Sequence, residues 1–252
     1  MTDWSALQDE LDAWEDAGLT FPFWWRDDDA VSDTPALRQL ADLSQRYDLP
    51  VHIAVIPAHA DRSLSSCLAT LPHVIPLVHG WAHENHAPAD QKKAEFGAHR
   101  PIAAMQEEAD RGFGKLHGLF GSRLQPVFVP PWNRIAPDLI AALPGLGYRA
   151  LSTATPRDAE WAASGLKQIN THIDPIDWKG TRSLLDASVL IPRITKLLQD
   201  RRAGRSDATE PLGLLTHHLV HDPAIWSFCA RLVDLFLSGP ARPWHISEGE
   251  LS

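Results

Sequence analysis

Short apolar segments alternate with segments of helical period along most of this chain, and this alternation is what most restricts its fold. Residues 34–47 illustrate the helical segments, because Leu37, Leu40 and Leu43 recur at helical spacing after a Thr-Pro start. Strands that alternate with helices favour a parallel sheet with helices outside it, either open or closed into a barrel. The predicted strands are 21–26, 51–56, 74–78, 127–129, 148–152, 167–173 and 213–215.

Polar side chains follow directly on the C-terminal ends of several predicted strands. In parallel α/β folds, ligands bind at the carboxyl ends of the strands. Acids, histidines and an amide at five separate strand ends are more than loop composition alone accounts for. We therefore expect one functional site along this edge of the sheet. The residues concerned are Asp27, Asp28, Asp29, His79, Asn133, Asp174, Asp177, His217 and His218.

The overall composition excludes several classes of function. With 252 residues, 44% of them hydrophobic, and no break in composition, residues 1–252 are predicted to form one domain. A formal net charge of −9 without a Lys/Arg cluster argues against a nucleic-acid partner. The acidic, amphipathic N-terminal segment is typical of neither a signal peptide nor a membrane span. The two cysteines suggest no disulfide framework. We therefore expect a cytoplasmic protein without a membrane span.

Three adjacent carboxylates, residues 27–29, directly follow an apolar strand. An ionised carboxylate at the end of a buried strand must be hydrated, paired or bound to a metal ion. A solvated turn before a helix is the alternative, since Asp also favours turns and helix caps. His79 and His83 offer partners, because imidazoles at i and i+4 share one face of a helical turn. Two histidines and one carboxylate leave coordination positions open for water and substrate, as a hydrolytic metal centre requires.

Taken in order, these residues resemble the motifs of the NodB-homology polysaccharide deacetylases, the fourth family of carbohydrate esterases. The five short motifs of that family can be laid on residues 25–217. The resemblance implies a distorted (β/α) barrel of the NodB/glycoside hydrolase-deacetylase type, with about seven parallel strands and outer helices. It also implies a hydrolase of carbon–nitrogen bonds other than peptide bonds.

The first motif of the family, Thr-Phe-Asp-Asp-Gly, falls on residues 25–29, and Thr34 at the start of the next helix supports that register. The resemblance then implies that Asp27 is the general base and that Asp28 is a metal ligand. Asp29 stands where the family has Gly, so a shift by one residue stays open.

The second motif, His-Ser/Thr-x-x-His, falls on residues 79–83, with Gly80 in place of the hydroxyl residue. The resemblance implies that His79 and His83 are the other two metal ligands. The expected cofactor is one divalent metal ion, Zn²⁺ in the first place, with Co²⁺ and Ni²⁺ as alternatives.

The third motif, Arg-x-Pro-Tyr/Trp, falls on residues 129–132, where Val129 replaces the arginine that holds the base in the family. Either Arg26 or Arg134 could supply the missing charge. The resemblance implies that the backbone N–H of Trp132 helps to hold the oxyanion. The predicted substrate-binding residues are Pro131, Trp132, Asn133 and, from the next motif, Trp178.

The fourth motif, Asp-x-x-Asp-Trp, matches residues 174–178 without a gap. It implies that Asp177 tunes the catalytic histidine and that Trp178 forms a wall of the groove. The fifth motif, Leu-x-His, ends at His217 and implies that this residue is the general acid, with His218 as the adjacent competitor.

The implied reaction is the hydrolysis of an N-acetyl group on an amino sugar or glycan, so the expected partner is a small-molecule or glycan substrate carrying that group. Asp27 would take a proton from a metal-activated water, and His217 would donate one to the departing amine. Two alternatives stay open, since a fold does not determine a function. One is hydrolysis of another non-peptide C–N bond, and the other is an inactive carbohydrate-binding relative. The complete set of acids and histidines argues against the inactive relative.

Overall fold

The computed structural model describes residues 2–251, which form a largely parallel sheet with helices along its outside. The strands are β1 (Phe21–Ala30), β2 (Val51–Val55), β3 (Val74–His79), β4 (Val127–Val129), β5 (Ala150–Leu151), β6 (Trp161–Ala163), β7 (Leu166–Gln168), β8 (Leu212–Thr216) and β9 (Ala241–Pro243). The α-helices are α1 (Ser5–Asp16), α2 (Pro35–Arg46), α3 (Arg62–Leu68), α4 (Ile102–Phe120), α5 (Pro137–Ala142), α6 (Ala187–Arg202) and α7 (Pro223–Leu237).

The order of the strands brings distant parts of the chain to one edge of the sheet. Hydrogen bonds connect them in the order β6-β7-β5-β4-β3-β2-β1-β8, and β9 pairs with the start of β1. Only the β6–β7 pair is antiparallel in the described part of the chain. An isolated bridge between Ile173 and Leu214 joins the segment after β7 to β8, so the two ends of the sheet approach each other. The predicted architecture, a parallel sheet with outer helices, is confirmed.

Both faces of the sheet are buried, and successive residues of β1 point to opposite faces. Trp24 packs in a small inner cluster that Ile246 and Leu251 complete, whereas Trp25 packs in the large cluster between the sheet and the helices. The same alternation directs Arg26 to the inner face. An apolar run that is buried on both faces is typical of parallel sheets.

Capping side chains mark the starts of four helices, α2, α3, α6 and α7. Thr34 caps α2, because its Oγ1 accepts the N–H of Leu37 at 3.1 Å, and Pro35 occupies the first helical position as predicted. The sequence predicts the sixth helix at 184–199, but α6 spans Ala187–Arg202. The reason is local, because Asp186 accepts the N–H of Ser188 and thereby sets the start of this helix.

The charged segment 201–210, which the sequence predicts to be flexible, is joined to the sheet by buried polar contacts. The Glu210 carboxylate accepts the backbone N–H of Arg157 at 3.0 Å and lies 3.1 Å from His172 Nε2. Arg157 also pairs with Asp207. Arg201 and Glu210, at the two ends of this segment, therefore belong to a buried network, whereas residues 202–205 are exposed.

Within residues 2–251, no helix is both long enough and apolar enough to cross a membrane.

Cys67 and Cys229 are free and buried. Burial raises the pKa of the Cys229 thiol, so this side chain behaves as a small apolar group and not as a reactive thiolate.

His52, on β2, leads us to expect a loss of stability in acid. Its buried ring accepts the N–H of Ile246 at Nε2, so the proton is on Nδ1, which donates to the carbonyl oxygen of Trp25. Burial lowers the pKa of His52 to about 4. In the unfolded chain His52 takes up a proton near pH 6.5, so the stability that neutral His52 contributes is complete above that pH. It should fall by about 3 kcal/mol as the pH decreases from 6.5 to about 4.

Urea denaturation of the metal-free protein between pH 7 and pH 4 measures this effect. We expect His52→Asn to show a shallower decrease of unfolding free energy with falling pH than the parent protein. His117→Asn, at an exposed position of α4, should keep the parent slope. Identical slopes for His52→Asn and the parent would contradict the expectation.

Candidate metal centre

The three carboxylates at the end of β1 lie in three different environments. Strand alternation places Asp27 on the outer face and Asp28 on the inner face. The pairing of β1 with β2 then becomes irregular between Asp27 and Ala30. Asp29 lies within this irregularity with a left-handed backbone, φ 75°. The Asp29 carboxylate therefore points to neither face of the sheet. It lies beside His79, at the end of β3, and His83, in the loop after it.

Asp29, His79 and His83 form a cluster that could hold a metal ion. Asp29 Oδ1 lies 3.2 Å from Nε2 of His79 and 3.4 Å from Nε2 of His83. All three donor atoms lie within 4.8 Å of one another, so one ion can reach them all. The motif register predicts Asp28 beside these histidines, but the structure places Asp29 there. The first motif therefore moves by one residue, with Ala30 at the family's glycine.

The donor atoms of this cluster fit a divalent ion. Nδ1 of His79 lies 2.9 Å from the carbonyl oxygen of Val129, so it carries the proton and leaves the lone pair of Nε2 directed at Asp29. Asp29 Oδ1 is buried and has no hydrogen-bond donor in the described part of the chain. Two imidazoles and one carboxylate suit Zn²⁺ and neighbouring transition ions, and they leave coordination positions open.

Asp29 and His79 stabilise each other's charged forms, whereas burial and the charge of His79 lower the pKa of His83. Burial alone would raise the pKa of Asp29, but the contact with His79 and the charge of the histidines hold it well below its ordinary value. Burial would likewise lower the pKa of His79, yet the carboxylates of Asp29 and Asp28 raise it. A positive charge is therefore favoured between these groups, and a metal ion supplies one.

His79 ends β3 and His83 lies in the loop after it, which forms no helical turn. Glu95 accepts the backbone N–H of Trp81 at 3.1 Å and of Ala82 at 2.7 Å, which fixes the path of the loop. Gly80 has φ +52°, and a Cβ at this position would overlap Glu95 and the ring of Pro131. This close approach explains why glycine occupies the hydroxyl position of the motif.

Asp28 is paired with Arg26 on the inner face of β1. The guanidinium donates from Nε to Oδ1 at 2.9 Å and from Nη2 to Oδ2 at 3.0 Å, and both side chains are almost fully buried. Arg26 also donates to Asn133 Oδ1 and to Ser152 Oγ, each at 2.8 Å. Of the two arginines considered for the missing charge, Arg26 is therefore the one that lies beside an acid of residues 27–29. Arg134 instead donates to the carbonyl oxygen of Lys93.

Asp27, the predicted base, faces away from the cleft. Its carboxylate forms a buried ion pair with His218. It also accepts the hydroxyl of Thr216 at 2.6 Å and the backbone N–H of His218 at 2.9 Å. Burial acts to raise the pKa of Asp27, but the His218 charge lowers it. Asp27 thus anchors both neighbours of His217 and positions that residue from outside the cleft.

His217, the predicted general acid, lies in the cleft at the end of β8. Its ring contacts Trp178 edge-on with 4.7 Å between centroids, and its Nδ1 is buried without a hydrogen-bond partner in the described part of the chain. Asp174 lines the same cleft, and burial raises its pKa although the charge of His217 acts against this. Asp177 lies elsewhere, accepting the N–H of Gly180. The acid beside His217 is therefore Asp174, whereas the motif predicts Asp177.

A cleft of about 660 Å³ contains the metal cluster and His217. Of the predicted substrate-binding residues, Trp132, Asn133 and Trp178 line it, whereas Pro131 is buried behind it. Trp132 and Asn133 are consecutive left-handed residues, with φ 57° and φ 56°, which bring both side chains to the cleft. A second cleft of about 570 Å³ adjoins the first and shares Asn133 and Arg134 with it.

Sequence analysis placed Asp29 and Asp174 at this edge of the sheet without assigning either a chemical role, and it did not identify Glu95. One available signal was the spacing of Arg26 and Asp28, because residues two apart in a strand share a face. That spacing pairs Arg26 with Asp28 and makes Asp29 the unpaired acid. No comparable signal identifies Glu95, whose partners are backbone N–H groups.

Comparison with known proteins supports the fold. No protein-family model and no curated protein matches the sequence. The structure is similar to a family 4 carbohydrate esterase from Streptomyces lividans in complex with acetate (14% identity, TM-score 0.57, 90% of this chain and 93% of that chain). It is also similar to a peptidoglycan deacetylase from Bacillus subtilis (12%, 0.57, 92% and 90%). A third similar structure is a putative polysaccharide deacetylase from Mycobacterium smegmatis (15%, 0.53, 84% and 80%). The resemblance to the NodB-type deacetylases is confirmed at the level of the fold.

Proposed function

We propose that this chain, whose fold is that of the family 4 carbohydrate esterases, is a metal-dependent hydrolase that removes an N-acetyl group from an amino sugar or glycan. The proposed ligands of the ion are Asp29, His79 and His83. Zn²⁺ is the expected ion, with Co²⁺ and Ni²⁺ as alternatives that the same donor atoms accommodate.

One observation carries the proposal: a metal-ligand set, a paired carboxylate and a histidine line the same cleft. Asp28 and His217 both line the cleft that contains Asp29 and its two histidines. Amide hydrolysis requires water activation, proton removal and protonation of the leaving amine. The cleft offers a separate group for each requirement.

Each group in the cleft has a separate proposed role in the reaction. A bound divalent ion supplies Lewis-acid activation of water and of the acetamide carbonyl. Asp28, oriented by its two hydrogen bonds to Arg26, accepts the proton of the attacking water. Asp27 holds Thr216 and His218, the neighbours of His217, and so positions His217. His217 donates a proton to the nitrogen of the departing amine. The backbone N–H of Trp132 is the proposed donor to the oxyanion.

The register of the first motif changes these roles relative to the sequence prediction. Asp28 becomes the proposed base in place of Asp27, and Asp29 becomes the proposed ligand in place of Asp28. His217 keeps its proposed role as acid, because His218 faces Asp27. Asp174 takes the place of Asp177 beside it.

Release of acetate from N-acetylated amino sugars tests the proposal. We expect turnover by the zinc-loaded protein, its loss on addition of a chelator and its recovery with added Zn²⁺. His217→Asn should reduce turnover by about 10²–10⁴-fold, the usual contribution of a general acid, while metal content stays unchanged. His117→Asn, at an exposed position of α4, is the matched control and should retain parent turnover.

Turnover that resists chelation, or full turnover by His217→Asn, would overturn this mechanism. Release of product only from cyclic amides or ureides would support hydrolysis of another C–N bond. A zinc-loaded protein that binds amino sugars and hydrolyses none of them would favour the carbohydrate-binding alternative.

A further inference from the structure

Three cationic side chains line the cleft around the metal cluster. Lys93, Arg134 and Arg182 come from three separate loops and line the same cavity as Asp29 and His217. Within residues 2–251 none of the three forms an ion pair with a carboxylate. The chain as a whole carries a formal net charge of −9, so three cations gathered at one cleft run against its composition. We call these three residues the cationic rim.

The carboxylates of the cleft do not account for the cationic rim. The cleft is lined by Asp28, Asp29 and Asp174. Arg26 neutralises Asp28 through a bidentate pair, and a divalent ion bound by Asp29 would more than offset the charge of that carboxylate. With such an ion bound, Asp174 alone of these carboxylates would face the three cations of the rim, so the cleft would keep a net positive charge.

Two of the rim residues are held in position. Nη1 of Arg134 donates to the carbonyl oxygen of Lys93 at 2.6 Å, which joins two rim residues and leaves the other guanidinium donors for a ligand. The guanidinium carbon of Arg182 lies 5.4 Å from the ring centroid of Trp178, at the wall of the cleft. Preorganised guanidinium groups are suited to carboxylate and phosphate oxygens, which they bind bidentately.

We propose that the acetamido sugar accepted by this cleft carries an anionic substituent, a carboxylate or a phosphate, which the cationic rim binds. This inference rests on the proposed function, because it names the substrate class of the same site. A volume of about 660 Å³ lies in the usual range of small-molecule sites, so a sugar ring and its substituent fit together. A neutral N-acetyl sugar would leave the rim unpaired.

Binding by matched sugars tests the inference without requiring turnover. Isothermal titration of the zinc-loaded protein with N-acetylglucosamine, N-acetylmuramic acid and N-acetylglucosamine 6-phosphate compares a neutral ring with its carboxylate and phosphate derivatives. We expect at least one anionic sugar to bind about tenfold more tightly or better, with a preference that decreases as salt increases. Which derivative gains affinity distinguishes a carboxylate from a phosphate.

Variants separate the rim from direct binding of the anion to the metal ion. Arg134→Gln/Arg182→Gln should abolish the preference for the anionic sugar and leave the affinity for N-acetylglucosamine within about twofold. Lys92→Gln, beside Lys93 but outside the cleft lining, is the matched control and should keep the preference. An unchanged preference in the double variant, or an equal loss in the control, would overturn the inference.

The outcomes also separate this inference from the proposed function. Rim-dependent binding of an anionic sugar without any acetate release would contradict deacetylation and leave the anion specificity standing. Acetate release with equal affinity for neutral and anionic sugars would overturn the anion specificity alone. Failure of all three sugars to bind would count against the inference as well.

Discussion

Asp29→Ala is expected to abolish metal binding, whereas Asp28→Asn is expected to preserve it. Asp29 supplies the only carboxylate oxygen within reach of both histidine Nε2 atoms in the described residues. Changes in the residues surrounding a metal site typically cost about 10–100-fold in affinity, so removal of a direct ligand should exceed about 100-fold. Zinc titration of each purified variant, together with its metal content, measures the difference.

The Asp28→Asn variant carries the second half of this prediction. Asparagine keeps the shape of the side chain but removes the basic oxygen, so we expect zinc affinity within about tenfold of the parent and turnover reduced by about 10²–10⁴-fold. Asp138→Asn, on the exposed start of α5, serves as the control for loss of one acidic charge. Loss of zinc by Asp28→Asn with retention by Asp29→Ala would restore the motif-based register.

Arg26→Met is expected to destabilise the metal-free protein by about 3–5 kcal/mol, because it leaves a buried carboxylate without its partner. The Arg26 side chain is fully buried and Asp28 is 4% exposed, so Asp28 would lose most of the interactions that balance its charge. Urea denaturation of the metal-free protein measures the loss. The variant should also lose turnover, since Asp28 would no longer be oriented.

A double-mutant cycle distinguishes the ion pair from general packing. We expect Arg26→Met/Asp28→Asn to regain part of the stability lost by Arg26→Met, because the uncompensated charge is gone. Arg38→Met is the matched control. It removes a surface pair with Asp33 in which Arg38 is 58% exposed, and such pairs are worth about 1 kcal/mol or less. An equally small loss for Arg26→Met would contradict the assigned role of Arg26.

The fold and the edge that carries the site could be predicted because they depend on patterns that repeat along the chain. Alternation of apolar strands with helices indicated a parallel sheet, and Thr34 with Pro35 marked the start of α2. The strands β6 and β9 were not predicted, since neither contains the branched apolar residues that mark the predicted strands. They are stabilised by their pairing with β7 and β1.

The roles of individual acids could not be predicted with the same security, because identical residue types stand next to one another. Three aspartates in a row differ only in direction, and a one-residue change of register exchanges their partners. The choice between Asp174 and Asp177 has the same origin. Asp174 lines the cleft with His217, whereas Asp177 is engaged by the N–H groups of its own turn.

The amino-acid sequence by itself determined a parallel α/β fold, the edge of the sheet where acids and histidines gather, and a pair of histidines at metal-ligand spacing. Only the tertiary structure decided which carboxylate joins them. Asp28 is paired with Arg26 and Asp27 is paired with His218, so neither carboxylate is available to these histidines. The irregular, left-handed end of β1 then directs Asp29 to His79 and His83. The physical reason is that a strand's residue pattern specifies its two faces, whereas a break in the strand is set by the partners that surround it.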